Sequence, residues 1–377
     1  MASYGAAVAT LSSLVELQND LSNEDTHARL RALELCSKLQ AELELPGEKL
    51  MRTQWAEPLH ISALNAAHDL HIYSILAEND NAPKSVSQIT ETTKAEPFLI
   101  RRILRQLAAF RSITETSVDT FANNKFSQFL LEDSAASTLK FTRWFAPVIA
   151  QAPDFLAHYE WKSPADPQKA AFAWTLGLGD LNWFEHLSQD PVNGALFGRM
   201  MRAQSEGKPT WSDGLYPVKQ LHSDGNALIV DIGGGNGHDL ESAYVIDHVN
   251  LDGIDKMAYD YYTEQPVKGA QVYFMHQIMH DHDNAQCLKI LRAVVPAMKP
   301  GYSKLLINDL VLPDQDAHWY PSTMDLLMML TMCGRERTTQ QWFDLINEVG
   351  GGLRIEKIWT PTATTGMADS LIECVVD

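Results

Sequence analysis

A glycine-rich stretch near the middle of the chain combines residue types that let a ligand approach the backbone. Residues 230–237 read VDIGGGNG, so Asp231 is followed by Gly233, Gly234 and Gly235. Glycine permits a sharp turn and leaves open the space that a Cβ would fill. A carboxylate at the end of the preceding apolar segment accepts hydrogen bonds from loop or ligand amines. The stretch therefore predicts a strand that runs into a cofactor-binding turn, although such turns also serve tight packing alone.

Histidines gather in a second stretch that is suited to acid–base chemistry. His276, His280 and His282 lie close together, and His318 follows further along the chain. Imidazole changes its charge near neutral pH, which suits a group that accepts or donates a proton. A metal site is not expected, because no cysteine or well-spaced fourth ligand accompanies these histidines. Taken singly, each histidine could equally be a turn residue with its hydrogen bonds satisfied.

The composition excludes several classes of protein. The chain has 377 residues and a formal net charge of −18, from 48 acidic and 30 basic residues. A net negative field repels phosphate groups, so neither nucleic acid nor an anionic membrane is an expected partner. The cysteines form no C-x-x-C pair, which indicates free thiols in a reducing compartment. With no apolar stretch long enough to span a membrane and no basic leader, the expected location is the cytoplasm.

The first third of the chain predicts helices followed by a small hairpin. Helical periodicity covers residues 12–45, 59–78 and 97–110, and residues 112–124 are polar and partly alternating. Three helices and a hairpin predict a winged-helix arrangement over residues 1–125. Winged helices often bind DNA, but the acidic composition favours contact with a second protein copy instead.

The remainder of the chain, residues 126–377, predicts a helical linker followed by an α/β domain. Residues 134–217 are helix-rich and aromatic, which suits a core with an apolar pocket for a flat organic ligand. From residue 227 onward, segments typical of strands and helices alternate. This order predicts an open, Rossmann-like α/β sheet, in which ligand sites form at the carboxyl ends of the strands.

Several motifs together resemble the plant and fungal O-methyltransferases of the caffeate type. The glycine spacing D-x-G-x-G-x-G differs from the dinucleotide pattern G-x-G-x-x-G and is similar to the S-adenosylmethionine motif of class I methyltransferases. The segments FMHQIMHDHDNAQCLKILRAVVPAMKPG, LLINDLVLPDQ, MDLLMM and GRERTTQQWFDLI are also similar to this family. The fungal secondary-metabolite branch looks closest, and the resemblance covers nearly the whole chain.

The resemblance implies a fold, a cofactor and a reaction. The fold is a Rossmann-like class I methyltransferase domain with an N-terminal winged-helix domain that forms an intertwined homodimer. The cofactor is S-adenosylmethionine, and the reaction is methyl transfer to a phenolic or polyketide-type hydroxyl. Fungal relatives also include pericyclases and dehydratases, which often lose the catalytic histidine. A non-catalytic dimeric relative is a third possibility.

The same resemblance implies the roles of individual residues. His280 is the expected base, and it accepts the phenol proton while Asp309 and Glu336 orient it. The family usually has glutamate where this chain has Asp309, so that side chain is one methylene shorter. Each acid could be a solvated loop residue, but their spacing of 29 and 27 positions in matching contexts indicates catalytic ancestry.

Further residues are expected to contact the cofactor or the substrate. The cofactor-binding residues that the resemblance implies are Asp231, Gly233, Gly235, Asp260, Tyr261 and His276. The substrate-binding residues that it implies are Met200, Met328 and Met332. Methionine adapts to flat ligands, but it is also an ordinary core residue.

The chain departs from the family pattern over residues 240–254. Only 23 positions separate Gly237 from Asp260, whereas a βαβ unit takes about 30 residues or more. The second strand of the sheet, which should hold the ribose, is therefore predicted to be shortened or missing. Three explanations stay open: a real loss that damages the cofactor pocket, a short substitute strand at residues 245–247, or a gene model that omits part of an exon.

Two histidines also replace residues that are common in the family. His282 stands where the family has a tryptophan that stacks on the adenine, so the affinity for the cofactor should fall by about 1 kcal/mol. His276 stands where plant relatives often carry lysine. The retention of His280 favours methylation, whereas the short segment favours the alternatives.

Overall fold

The computed structural model describes residues 4–205, 211–212, 214–222, 225, 227–234, 255, 257–361 and 368–377. The chain forms two compact units. The first unit comprises Met1–Pro147 and Leu187–Glu206, and the second comprises Val148–His186 and Gly207–Asp377. The expected domain boundary between residues 125 and 126 falls within the first unit, and it stays a prediction.

The first unit is mainly helical. Its helices are α1 (Gly5–Glu16), α2 (Gln18–Ser22), α3 (Thr26–Leu43), α4 (Pro46–Met51), α5 (Glu57–Asp69), α6 (Ile72–Asn81), α7 (Val86–Thr93), α8 (Pro97–Ala109), α9 (Lys125–Phe129), most of α10 (Asp133–Ala150) and α14 (Pro191–Ser205). One turn of π-helix, Arg52–Ala56, precedes α5. Helix α8 shows why these segments become helical. The Glu96 side chain accepts hydrogen bonds from the first free backbone amides of α8, and every third or fourth residue is apolar and buried.

A small antiparallel sheet completes the first unit. Its strands are β1 (Lys84–Ser85), β2 (Thr114–Ser117) and β3 (Thr120–Ala122), in the order β1-β3-β2. Strands β2 and β3 form the hairpin predicted over residues 112–124, with Thr114 opposite Ala122. Phe121 on β3 is fully buried and joins the apolar faces of α5 to α8 in one core.

The second unit contains an open α/β sheet, as predicted. Its main strands are β4 (Ile229–Asp231), β5 (Val272–His276), β6 (Lys304–Asp309), β9 (Leu353–Trp359) and β10 (Ser370–Val376), in the order β4-β5-β6-β10-β9. Strands β4, β5 and β6 are parallel, whereas β10 runs antiparallel to β6 and β9. A short parallel pair, β7 (Val311–Leu312) and β8 (Arg337–Thr338), lies beyond β6.

Helices and apolar side chains cover both faces of this sheet. The helices of this unit are α11 (Ala152–His158), α12 (Ala171–Leu176), the first part of α13 (Trp183–Gln189), α15 (Asn284–Val294), α16 (Trp319–Met332) and α17 (Thr339–Val349). Tyr273 and Met275 of β5 face one core together with α15 and α17. Val272 and Phe274 face the opposite core, because side chains alternate along a strand. The sheet is thus buried on both sides, as parallel strands require.

The predicted loss of the second strand cannot be compared with the fold directly. Residues 240–254 lie outside the described part of the chain. Within the described part, β4 is the edge strand of the sheet. No helix in that part is both long and apolar enough to cross a lipid bilayer.

Candidate active site

The parallel strands bring three of the predicted residues to one edge of the sheet. Asp231 is the last residue of β4, His276 the last of β5 and Asp309 the last of β6. The strand register places Asp231 opposite Phe274 and His276 opposite Asn308. Because the carboxyl ends of parallel strands meet at one edge, these side chains lie where open α/β sheets bind ligands.

The glycine turn after β4 requires glycine at two positions. Gly233 has a φ of +82°, and a Cβ there would lie 2.5 Å from the Ile278 side chain. At Gly234 a Cβ would lie 2.0 Å from the Asp231 carboxylate. The turn therefore folds back on Asp231. The sequence analysis assigned no contact to Gly234, although its place among three consecutive glycines was a usable signal. Gly235 lies outside the described residues.

His280 and Glu336 form a buried pair. His280 lies on a single 3-10 turn, Met279–Asp281, and its Nδ1 is 2.9 Å from Glu336 Oε1. The His280 and Glu336 side chains are 8% and 1% exposed. Glu336 is itself held in place, since its backbone N–H donates to Asp325 Oδ1 of α16 at 2.9 Å. The parallel pair β7–β8 brings this segment beside the end of β6.

The second acid near His280 differs from the expected one. Asp281 Oδ1 lies 3.3 Å from His280 Nε2, so each ring nitrogen faces a carboxylate. Among the described residues, neither carboxyl oxygen of Asp309 has a hydrogen-bond partner, and the residue is fully buried. Asp309 therefore makes no hydrogen bond to His280 among the described residues, although an ionised Asp309 raises the pKa of the imidazole. The orienting role of Asp309 stays a prediction.

Burial and charge set the protonation of this cluster. Burial lowers the pKa of His280, but Asp281 and Glu336 raise it more, to a value of about 10. Burial raises the pKa of Asp309 to about 8, against the opposing effect of His280. At neutral pH His280 is therefore an imidazolium and Asp309 a neutral acid. A protonated imidazole can only donate a proton. His280 can accept one only after a ligand or a higher pH has removed the proton from Nε2.

A second histidine–carboxylate pair lies at the end of β5. His276 Nε2 is 3.1 Å from Asp369 Oδ2, and the Gln277 side-chain amide donates to the same oxygen at 3.1 Å. The Asp369 side chain is 7% exposed, whereas that of His276 is 19% exposed. His276 is thus the member of the pair that reaches toward solvent. Its position fits the predicted contact with a ligand above the sheet edge.

His282 lies between two tyrosines. The hydroxyls of Tyr261 and Tyr262 are 3.2 Å from Nε2 and 3.3 Å from Nδ1 of His282. Burial lowers the pKa of His282 to about 4, so the ring is neutral. One tyrosine must then donate to the ring while the other accepts, because a neutral imidazole has one N–H and one lone pair. Asp260 is exposed, and its carboxylate accepts from the Tyr262 backbone N–H at 3.0 Å.

The predicted substrate residues fall in different units. Met328 and Met332 are buried on α16, which also contacts the turn that carries His280. Met200 lies on α14 in the first unit. The structure therefore brings two of the three methionines to the His280 side of the second unit.

Gly334 is a site residue that the sequence analysis did not find. A Cβ at this position would lie 2.0 Å from the backbone oxygen of His280 and 2.7 Å from the carbonyl carbon of Asp281. The next residue, Arg335, donates its backbone N–H to the same oxygen of His280 at 2.9 Å. The two chain segments are in direct backbone contact, and only glycine permits this approach. A single glycine in the motif GRERT carried no signal of this contact.

Comparisons with known proteins identify the family of the chain. The O-methyltransferase domain family matches residues 244–351. The protein "O-methyltransferase mfmE" of Annulohypoxylon moriforme is 31% identical, over 96% of this chain and 96% of the relative. The "Demethylsterigmatocystin 6-O-methyltransferase" of Aspergillus parasiticus is 31% identical, over 78% of this chain and 80% of the relative.

Solved structures share the fold over nearly the whole chain. One, described as "A Pericyclic Reaction enzyme", has a TM-score of 0.83 and 25% identity, and the match covers 98% of this chain and 100% of the other. Another, "OxaC in complex with SAH and oxaline", has a TM-score of 0.81 and 21% identity, with 99% of each chain covered. Fold and site thus define a class I methyltransferase-like α/β protein. The chain belongs to the family of S-adenosylmethionine-dependent O-methyltransferases, as its motifs predicted.

The longest of these alignments also shows that the relative has residues that this chain lacks. The alignment with the Annulohypoxylon moriforme protein spans 394 positions and includes 96% of this 377-residue chain, which is about 362 residues. About 32 of the 394 positions therefore hold a residue in the relative alone.

We expect Asp309→Asn to stabilise the protein increasingly as the pH rises. The folded-state pKa of Asp309 is raised, so the folded protein retains a proton that the unfolded chain releases. Stability is therefore lost as the pH rises from about 4 to about 8. The asparagine amide does not ionise, so the variant does not lose stability in this way. The advantage of the variant in free energy of unfolding should grow by roughly 3 kcal/mol between pH 5 and pH 8.

Urea unfolding at the two pH values measures this difference. The control is Asp314→Asn, which makes the same chemical change at an exposed position. Its difference from the wild type should be the same at both pH values. An Asp309→Asn advantage that does not grow with pH would show that Asp309 is ionised in the folded protein.

We expect Gly334→Ala to separate the His280 turn from the segment that carries Glu336. The added Cβ would meet backbone atoms at 2.0 Å, and backbone cannot rotate away as a side chain can. The free energy of unfolding should fall by about 2 kcal/mol or more. Gly47→Ala is the matched control, because a Cβ there meets nothing within 4 Å. Equal stability of the two variants in urea unfolding would contradict the close approach.

Proposed function

We propose that the protein is an S-adenosylmethionine-dependent O-methyltransferase that methylates a phenolic or polyketide-type hydroxyl in fungal secondary metabolism. The observation that carries this proposal is the buried pair of His280 and Glu336 at the carboxyl edge of the sheet. The glycine turn after Asp231 lies at the same edge. A proton-accepting group and a cofactor turn are the two parts that methyl transfer to a hydroxyl needs.

The residues present fit the cofactor at the glycine turn. Gly233 and Gly234 let the backbone turn sharply beside Asp231 and Ile278, because a Cβ at either glycine would meet one of these side chains. S-adenosylmethionine supplies a methyl group on a positively charged sulfur. The residues proposed to hold it are Asp231, Gly233, Gly235, Asp260, Tyr261 and His276. His276 and Asp231 support this assignment by their positions at adjacent strand ends.

His280 is proposed to take the proton of the attacking hydroxyl at Nε2. Glu336 holds the opposite nitrogen, so Nδ1 carries its hydrogen toward the carboxylate and the ring is fixed in orientation. Asp281 lies beside Nε2, and a substrate hydroxyl must take its place. A nearby positive charge lowers the pKa of a histidine, so a bound cation would help His280 to lose its resting proton.

The substrate is proposed to be flat and largely apolar. Met328 and Met332 on α16 are buried on the side of the His280 turn, and Met200 on α14 is a further residue proposed to bind the substrate. Unbranched, polarizable methionine side chains adapt to aromatic surfaces of varied shape. Such a lining favours ligands whose shape fits and whose apolar surface becomes buried. His280 adds the requirement for a hydroxyl that it can deprotonate.

A second candidate is a methyltransferase-fold enzyme that catalyses a pericyclic or dehydration step. The likeness to a pericyclic-reaction enzyme over 98% of this chain favours it. The short sequence between Gly237 and Asp260 also supports a reduced cofactor pocket. A non-catalytic dimeric relative would explain the same shortage. Sequencing of the transcript across residues 240–254 distinguishes a real loss from an omitted exon segment.

We expect the protein to bind S-adenosylmethionine with a Kd below about 100 μM, which corresponds to about −5.5 kcal/mol. Isothermal titration calorimetry measures this affinity. Transfer of a labelled methyl group to a panel of phenols then measures activity. His280→Ala should abolish transfer and leave the cofactor affinity within about threefold of the wild type, whereas His27→Ala, at an exposed position on α3, should change neither.

The outcomes separate the candidates. Absence of binding contradicts methyl transfer and leaves the pericyclic or dehydration enzyme and the non-catalytic relative. Binding without transfer to any phenol supports the pericyclic or dehydration alternative. For a methyltransferase, kcat/KM should rise with pH above neutrality, because His280 must lose a proton and its pKa is raised to about 10. A kcat/KM that falls over this range would rule out His280 as the base.

We propose that the protein is a homodimer that associates through the N-terminal helices. Large apolar side chains are exposed there, including Val8, Val15, Trp55 and Leu59, each of which is at least 58% exposed. Large exposed apolar side chains that are concentrated in one part of a protein are typical of a protein–protein interaction surface. A second copy of the same surface would bury it symmetrically.

Light scattering during size-exclusion chromatography should give a mass of about twice 42.1 kDa. The double variant Val15→Asp/Leu59→Asp should shift the protein toward the monomer, because two charges would be buried at the interface. Val118→Asp is the control, since Val118 is 86% exposed in the turn of the β2–β3 hairpin. A monomeric wild type at micromolar concentration would contradict the proposal.

A further inference from the structure

We infer that Arg337 is the positioning residue that fixes the turn on which His280 lies. This inference rests on the proposed role of His280 as the base. Arg337 is the first residue of β8 and directly follows Glu336. It is only 1% exposed, which is rare for a charged side chain.

The guanidinium group of Arg337 clamps both sides of the turn. Nη1 donates to the backbone oxygen of Met279 at 2.9 Å, and Nη2 donates to the backbone oxygen of His282 at 2.9 Å. These carbonyls flank His280 in sequence. Nε and Nη2 also donate to Asn284 Oδ1 at 3.2 and 3.1 Å, at the start of α15. One side chain thus fixes the backbone from residue 279 to residue 284.

Three consecutive residues hold the histidine from different directions. Arg335 donates its backbone N–H to the carbonyl of His280, Glu336 accepts from the ring, and Arg337 holds the carbonyls on either side. The orientation of the imidazole against Glu336 therefore depends on the backbone that Arg337 fixes. Loss of the clamp would leave the ring pair in place only through its own hydrogen bond.

The acceptors of Arg337 explain why arginine is needed. Its hydrogen-bond partners among the described residues are backbone carbonyls, the Asn284 amide oxygen and the Cys287 sulfur, none of which is a carboxylate. Burying a cation without a counter-ion is costly, so retaining it requires a compensating role. Lysine has the same charge but no planar fork, and it cannot reach both carbonyls and Asn284 together. The Trp342 ring lies 5.5 Å from the guanidinium carbon and supports its face.

The titration of His280 in Arg337→Lys tests this inference, because the substitution retains the charge and removes the fork. The charged or titratable groups that face His280 are Asp281, Glu336 and Asp309. In this variant the turn should loosen, so that the hydrogen bond between His280 and Glu336 weakens and water reaches the imidazole ring. The titration midpoint of His280, measured by NMR of the ring protons, should then fall by at least one pH unit toward that of ordinary imidazole. In the enzyme assay, kcat should fall at least tenfold while the KM for S-adenosylmethionine changes less than threefold.

Two further variants complete the test. Arg354→Lys makes the same change at an exposed ion pair with Asp377 and should leave the midpoint and kcat unchanged. Asn284→Ala removes one acceptor of the guanidinium and keeps Arg337, so it covers the case in which Arg337→Lys does not fold. It should move the midpoint in the same direction by a smaller amount.

The outcomes separate a positioning role from a structural one. If the Arg337 and Asn284 variants are less stable but retain the wild-type midpoint and kcat, the inference is overturned. The NMR midpoint needs no turnover. A shifted midpoint in a protein that transfers no methyl group would therefore support the clamp and contradict the proposed function.

Discussion

The buried hydrogen bond between His280 and Glu336 is the interaction on which the rest of the site depends. It joins the turn after β5 to the segment before β8, and these segments lie more than 50 residues apart in sequence. Removing two charged groups from water is costly, so such a pair depends on a backbone that holds both groups in a favourable geometry. Gly334 allows the two segments to approach closely. Asp325 holds the Glu336 amide, and Arg337 fixes the carbonyls around His280.

The parts of the fold that follow from local patterns could be predicted from sequence. Strands β5 and β6 are apolar runs between turn residues, and the helices between strands have clear periodicity, so the open sheet was expected. The pairing of His280 with Glu336 was also expected, but only through the resemblance of the motifs to a known family. Neither residue type nor spacing alone would have distinguished this pair from solvated loop residues.

The remaining contacts depend on distances that no local pattern encodes. The place of Asp281 beside the second ring nitrogen depends on the backbone of a single 3-10 turn. The tight backbone contact at Gly334 arises between segments that pack only in the folded chain. Arg337 looked like an ordinary charged residue because nothing in the sequence marks a buried cation whose partners are neutral carbonyls.

The buried carboxyl of Asp309, which has no hydrogen-bond partner among the described residues, affects the conditions under which this protein can work. His280 gains its base form as the solution becomes more alkaline, because neighbouring carboxylates raise its pKa. The fold loses stability at lower pH, up to about 8, because the folded protein keeps the Asp309 proton that the unfolded chain releases. With His280 as the proposed base, methyl transfer gains most at a pH above that range. A protein assayed at its alkaline optimum would therefore already have lost all the stability that this one carboxyl removes.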